Sequence, residues 1–231
     1  MKLLVIIPAY NEEESILATV NDLRRCCPDY DYLVVNDGSR DETAAVCREN
    51  NLNLLDLPAN LGLPGAFQAG IKYAWLHGYD AAVQFDADGQ HRPEYLPAML
   101  EKLQEGHDIV IGSRFVTEKK PRTMRMFGSA LIALAIRLST GRWLADPTSG
   151  MRMYNRKMIR IFAKELNIDP EPDTIAYLIG SGARVAEVQV RMQERMAGVS
   201  YLSPIRSMAY MTQVGISILL FQQFRRKLTL E

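Results

Sequence analysis

Along the first half of the chain, compact apolar runs alternate with segments of helical period. Leu3–Ile7, Tyr32–Asn36, Leu52–Leu57, Ala81–Phe85 and Asp108–Ile111 have the length and apolar character of buried strands. Between them Ile16, Leu17, Val20 and Leu23 recur at helical spacing, as do Leu96, Met99, Leu100 and Leu103. Pro93 stands where the second of these helices can begin, with Glu94 in its first turn. Strand–helix alternation predicts an α/β domain with a doubly wound, mostly parallel sheet and helices on both faces. In open sheets of this kind, ligands bind beyond the carboxyl ends of the strands. Here the first strand runs into PAYNEEE, the second into DGSRDET, the fourth into DADGQ and the fifth into GSRF. Polar chemistry is therefore expected along one edge of the sheet.

The second half loses this regularity. PRTMRMFGSALIALAIRLSTG reads as a helix rich in Leu, Ile and Ala, with Arg122 and Arg125 near its start. The turn signal DPTSG (Asp146–Gly150), a helical stretch after Asn155, the loop IDPEPD and an alternating strand Val185–Val190 follow. The chain closes with an apolar and basic segment from Pro204 to Lys227. No repeat or low-complexity tract interrupts the chain. One domain over residues 1–203 and an amphipathic, basic extension over 204–231 are expected.

Composition narrows the partners. The 231 residues carry 27 Lys and Arg against 27 Asp and Glu, so bulk charge recruits no nucleic acid. Cys26, Cys27 and Cys47 form neither a CxxC pair nor a zinc spacing, which suits a reduced, cytoplasmic chain. Pro8 cuts the first apolar run too short for a signal peptide. No stretch reaches the ~18 apolar residues of a spanning helix.

The segment VQFDADGQHRPEYL sends an apolar strand into Asp86 and Asp88. Two crowded carboxylates repel unless a positive charge separates them, and an oxygen-ligated divalent cation is one remedy. A solvated turn is the other reading, since Asp and Gly are common turn formers. Three familiar sites are set aside. No GxGxxG follows the first strand. GAFQAGIK places Ile71 where a P-loop needs lysine, and reads better as a helix held close to the sheet by glycine. A calcium loop starting at Asp86 would have His91 at its obligatory glycine and Pro97 at its bidentate glutamate.

Taken in order, PAYNEEE, DGSRDET, NLGLPGAFQAG, DADGQ and GSRF resemble the nucleotide-sugar-dependent glycosyltransferases of family 2, which have the GT-A fold. The likeness spans Leu3 to about Tyr201. Within that family it is greatest to the polyprenyl-phosphate sugar synthases, dolichol-phosphate mannose synthases among them. The resemblance implies that Pro8, Tyr10, Glu12 and Asp37 contact the nucleotide, and that Ala87 lies between two metal-binding carboxylates, Asp86 and Asp88. Gln90 would be a further ligand of Mg²⁺ or Mn²⁺. Glu13 and Glu14 read better as acidic decoration of a helix start, and Asp41 and Thr43 as a cap and first turn.

Further site residues come from the same likeness. Arg114 matches an arginine that faces the site, although a surface ion pair would also account for it. Asp146 in DPTSG matches a recurrent motif of the family, and its turn-forming role accounts for it better than catalysis does. Asp173, with Glu171, lies near a general base of other members. Arg195 and Ser200 echo an RxxGxS motif near the diphosphate, with Tyr201 where relatives carry lysine. Asp88, Arg114 and Asp173 are the catalytic candidates, and Arg122, Arg125 and Ser200 the acceptor-binding ones.

The implied reaction is inverting transfer of a hexose from a UDP- or GDP-linked donor to a lipid-linked acceptor, preferably polyprenyl phosphate. A sugar hydroxyl of a growing glycan is the alternative acceptor, and a nucleotide-binding module without turnover a third reading. The basic C-terminal segment is expected on an anionic membrane surface, at the inner face of the plasma membrane, or in a homo-oligomer contact.

Overall fold

The computed structural model describes residues 1–121, 123–165, 168–193 and 211–221, together with 225 and 228. The strands are β1 (Leu3–Ala9), β2 (Asp31–Asn36), β3 (Leu54–Asp56), β4 (Ala81–Gln84), β5 (Ile109–Ser113), β6 (Arg152–Asn155) and β7 (Val185–Gln189). They form one sheet in the order β3-β2-β1-β4-β6-β5-β7, parallel except for β6. The helices are α1 (Ile16–Cys26), α2 (Thr43–Glu49), α3 (Gly62–Leu76), α4 (Leu96–Gln104), α5 (Met124–Thr140), α6 (Arg156–Lys164) and α7 (Pro172–Gly180).

Successive strand residues point to opposite faces, and both faces are covered. Leu4, Ile6, Leu33, Val35 and Ala82 pack with α3, α5, α6 and α7. Leu3, Val5, Ile7, Val34 and Val83 pack with α1, α2 and α4. The periodic residues Ile16, Val20 and Leu23, and Leu96, Met99, Leu100 and Leu103, are buried as their spacing predicts. Gly70 lets α3 approach the sheet: a Cβ there would overlap Ile6 Cγ2.

Two differences from the sequence reading matter. The third strand is shorter than Leu52–Leu57, because its partner β2 pairs it only from Leu54 to Asp56. β6 was not foreseen. It is four residues long and begins with a buried arginine, so its hydropathy does not announce a strand. It runs antiparallel between β4 and β5, with Gln84 opposite Arg152. Its entry point is thus the edge where β4 ends, and the turn Asp146–Gly150 is delivered to that edge.

At the other end of the chain, residues 211–216 are α-helical and Ser217–Phe221 continues as a π-helix. Val214 and Ile218 are buried in the core that α5 and α7 share, so this part of the extension is docked on the domain.

Replacing Gly70 with alanine forces a methyl group against a β-branched side chain in the central strand. We expect a loss of about 1–3 kcal/mol, read as a lower urea midpoint at unchanged slope.

Candidate active site

The site is assembled from three turns that follow neighbouring strands β2, β1 and β4. Asn11 adopts a left-handed conformation (φ 57°), which Asn tolerates better than most residues. Its carboxamide accepts from Arg40 N at 2.9 Å, and its own N–H donates to Ser39 Oγ at 3.0 Å. Glu12 N donates to Thr43 Oγ1 at 2.8 Å. These bonds tie the turn after β1 to the turn after β2. Asp41 was expected to cap α2; the cap position is Glu42 instead, and Asp41, one residue before it, accepts from Thr43 N at 3.0 Å. Glu13, read as decoration of its own helix start, instead accepts from Glu42 N at 2.8 Å, at the start of α2.

Asp37 is buried, and its Oδ1 accepts from Leu61 N at 2.7 Å, linking β2 to the start of α3. The adjoining Gly38 (φ +62°) has no room for a side chain, since a Cβ would lie 2.6 Å from the Ala59 carbonyl carbon. The 59–61 backbone closes over this turn for that reason.

After β4, Asp88 Oδ1 accepts from Gln90 N at 3.0 Å, and Ala87 O accepts from Thr19 Oγ1 of α1 at 2.9 Å. His91 is buried and turned back on Asp86. Its Nδ1 accepts from Asp86 N at 2.9 Å, so the ring proton belongs on Nε2, which lies 3.4 Å from Asp86 Oδ2. The ring edge packs on Phe85. A lone histidine carries no sequence signal for this positioning role. Gly150 backs the same carboxylate, since a Cβ there would lie 3.3 Å from Asp86 Oδ2.

These turns enclose a cleft of ≈ 230 Å³ lined by Pro8, Ala9, Tyr10, Glu12, Asp37, Asp86, Ala87 and Asp88, with Leu63 and Ala66 from α3. Seven residues named from the sequence meet in one cavity. Leu63 and Ala66 were missed, because nothing in an apolar helix start marks which residues face a ligand.

Arg114 and Asp173 are not among the lining residues. Arg114 is not the exposed ion pair considered from sequence either. Its Nε and Nη2 meet Asp146 Oδ2 and Oδ1 at 2.7 and 2.9 Å, a bidentate pair in which Asp146 is fully buried. Glu187 receives the backbone N–H groups of Ala145 and Asp146 at 2.6 and 2.8 Å. Lys120 donates to Ser129 Oγ at 3.2 Å. Burial holds its ammonium below the ordinary lysine pKa; Asp146 and Glu187 oppose that effect and Arg114 adds to it.

Asp173, in the first turn of α7, accepts from Thr174 N at 2.9 Å and from Ser217 Oγ at 2.8 Å. Gln90 makes a long bond, 3.5 Å, from Nε2 to Gln193 O. Arg122, Arg195, Ser200 and Tyr201 lie outside the described residues, as does the side chain of Arg125. Burial pushes the thiols of Cys27 and Cys47 up to about 11, so neither is a thiolate nucleophile at neutral pH.

The sheet order and the cleft define an open α/β protein with a cleft at the carboxyl ends of its central strands, the place where ligands bind in sheets of this kind. Residues 4–162 match glycosyl transferase family 2, and the chain belongs to that family. It is 35% identical over 216 residues to the undecaprenyl-phosphate mannosyltransferase of Micrococcus luteus, covering 88% of each chain. It is 33% identical over 214 residues to the polyprenol monophosphomannose synthase of Mycolicibacterium smegmatis, covering 87% of this chain and 80% of that one. The likeness to the polyprenyl-phosphate branch read in the motifs is thereby borne out. The fold resembles that of glucosyl-3-phosphoglycerate synthase from Mycobacterium tuberculosis, solved with Mn²⁺, uridine diphosphate and glucosyl-3-phosphoglycerate. That match has a TM-score of 0.64 at 19% identity, over 96% of this chain and 79% of that one. At such identity it speaks for the fold alone.

Asp146→Ala should leave the Arg114 guanidinium largely buried without its carboxylate. Removing one partner of a buried pair costs ~3 kcal/mol or more, so the urea midpoint should fall clearly. A variant as stable as the parent would show that Arg114 simply turns to solvent.

Proposed function

We propose that the protein transfers a hexose, with inversion, from a nucleotide diphosphate sugar (uridine- or guanosine-linked) to a lipid-linked acceptor, preferably polyprenyl phosphate. The observation that carries this reading is the cleft, where Pro8, Tyr10, Glu12 and Asp37 face the same cavity as Asp86, Ala87 and Asp88. Pro8 and Tyr10 supply ring surface for the nucleotide. Glu12 and Asp37 supply acceptors for ribose hydroxyls and the base. The 86–88 turn is then left to face the diphosphate.

Among the described residues, no group of three or more His, Cys, Asp and Glu side chains converges as a metal cage. A pair of carboxylates lining an open cleft nevertheless fits Mg²⁺ or Mn²⁺. Mg²⁺ typically binds through one or two carboxylates plus substrate phosphates and water, and Mn²⁺ shares its preference for oxygen ligands. Asp86 and Asp88 would hold the ion, with the Gln90 amide beside them. Bound there, it would offset charge on the departing diphosphate. The mycobacterial synthase of the same fold was solved with Mn²⁺ and uridine diphosphate, which supports this reading. His91 keeps Asp86 aimed, and Arg195 would stand near the diphosphate.

For the acceptor, the names of the relatives point to undecaprenyl phosphate and polyprenol. A phosphate oxygen is already anionic near neutral pH. It forms the new bond to the anomeric carbon as the bond to the diphosphate breaks, and the electron pair leaves with the diphosphate. No proton has to be removed, so the protein's work is positioning and charge stabilisation. Arg122, Arg125 and Ser200 are the groups we assign to the acceptor phosphate. Asp173 is held by Ser217 and is not one of the cleft-lining residues. That supports a phosphate nucleophile over a glycan hydroxyl, which needs a base.

Asp88→Ala should reduce transfer by at least ~10²-fold, the scale of one lost electrostatic contact to the transition state, and abolish Mn²⁺-dependent donor binding in calorimetry. Near-normal turnover without added metal would overturn the role of this turn. Asp173→Asn separates the acceptors. On polyprenyl phosphate the rate should fall only modestly, whereas a drop of about 10²–10⁴-fold would mark a general base and a hydroxyl acceptor.

A further inference from the structure

The edge strand β7 has two unlike faces. Val188 and Val190 turn to the core shared with α1 and α4, as an apolar strand face should. On the opposite face Val185 is core, but the next two residues of that face are Glu187 and Gln189. Both are half-buried, so their polar atoms need partners. Among the described residues, all the partners they find are main-chain groups. Glu187 gives one carboxylate oxygen to Ala145 N at 2.6 Å and the other to Asp146 N at 2.8 Å. Gln189 Oε1 accepts from Thr117 N at 2.8 Å, while its Nε2 donates to Arg114 O at 2.9 Å and Val190 O at 3.0 Å.

These bonds bracket a single ion pair. Arg114 sits on one of the gripped segments and Asp146 on the other, and the two are joined through Nε and Nη2. β7 pairs with β5 as far as Ser113, so its last residues lie beside the point where Arg114 leaves the sheet. A half-buried carboxylate is a costly way to cover a core face, since an apolar side chain would do so without losing hydration. What Glu187 supplies instead is a fixed main chain at 145–146, as Gln189 does at 114–117. A side chain that binds only main chain decides where the other side chains of that segment point. Arg114 has a direction to keep. Asp146 takes Nε and Nη2 but leaves Nη1, and the Arg114 side chain is 21% exposed, so the guanidinium retains an outward donor.

We infer that Glu187 and Gln189 are positioning residues for Arg114: they hold the main chain on both sides of the Arg114–Asp146 pair and so fix the direction in which the guanidinium donates. The inference rests on the reading of the protein as a sugar transferase, in which a cation already aimed stabilises developing charge better than one that must reorganise. Neither residue lines the cleft, so their effect belongs to the transfer step and not to holding the donor.

The test is a double-mutant cycle on the full chain. Transfer to polyprenyl phosphate, nucleotide-sugar affinity by calorimetry and melting temperature are read on each variant. Glu187→Gln keeps the shape, but its amide accepts only one of the two N–H groups and sets an N–H against the other. Its kcat should fall roughly ten- to hundredfold, the cost of a small misplacement away from the reacting atoms, with donor affinity close to the parent's. Glu187→Asp keeps the charge on a side chain too short to reach both N–H groups, and it should lose kcat as well, as should Gln189→Met. In an Arg114→Gln background, Glu187→Gln should cost less than about twofold more, because residues that act through one another are not additive. Arg114→Lys serves if Arg114→Gln fails to fold. A lowered melting temperature with parental kcat marks a purely structural role and overturns the inference. Full additivity with the Arg114 variant, or parental kcat in that variant itself, does the same. Amide exchange adds an arm that needs no turnover. The Arg114 N–H donates to Asp146 Oδ2 at 3.1 Å, with no bond of its own to Glu187. If Glu187 keeps Asp146 in place, this N–H should exchange roughly tenfold or more faster in Glu187→Gln; unchanged exchange overturns the inference whatever the activity. A parent that shows this response yet transfers no sugar to polyprenyl phosphate removes the assigned reaction and leaves the grip on Arg114 standing.

Discussion

Strands β1, β2 and β4 are packed by helices on both faces, so the side chains along their length are buried and mostly apolar. The acidic groups of the cleft, Glu12, Asp37, Asp86 and Asp88, all lie beyond the last strand residue, in the turns. Because β2, β1 and β4 are adjacent and parallel, those turns open at one edge. Asp37, Glu12, Asp86 and Asp88 thereby share a cavity although they are far apart in the chain. The site follows from burying the centre of the sheet.

The antiparallel strand β6 adds a second set of groups to that edge. It enters the sheet opposite the end of β4, which brings the 146–150 turn against Asp86 and under Arg114. Asp146 is wholly buried, a costly place for a carboxylate unless it is fully paired. The pairing is supplied by Arg114 Nε and Nη2, the Arg114 backbone N–H at 3.1 Å and Thr148 Oγ1 at 3.2 Å. On the other side of the edge, His91 fixes the backbone and faces the carboxylate of Asp86. The two halves meet with their charged groups already oriented, which limits reorganisation when a ligand binds.

Zero net charge conceals local runs of one sign. Glu12, Asp37, Asp86 and Asp88 share the cleft, while residues 121–143 and 204–227 carry cations and no acid. Ser129, on the inner side of α5, receives Lys120 and Thr148 Oγ1, both at 3.2 Å. Helix α5 is therefore bonded on its inner side to the turn that holds Arg114.

What the sequence determined was local or periodic. Ile16, Val20 and Leu23 declare a buried helix face because burial repeats with the helical turn. The ordered turns after the strands disclosed the family and seven of the residues that line the cleft. β6 was illegible, since Arg152 is buried through bonds to the carbonyls of Pro147 and Pro170 rather than through apolarity. The partner of Arg114, the turn of His91 onto Asp86 and the engagement of Asp173 by Ser217 join residues whose proximity no spacing encodes. The same holds for the outer stripe of α5, where Leu131 and Leu134 are exposed while Ile132 and Ile136 are buried. A hydropathy pattern records that a helix is apolar all round. Only the packed neighbours decide which side is core and which side is left in solvent.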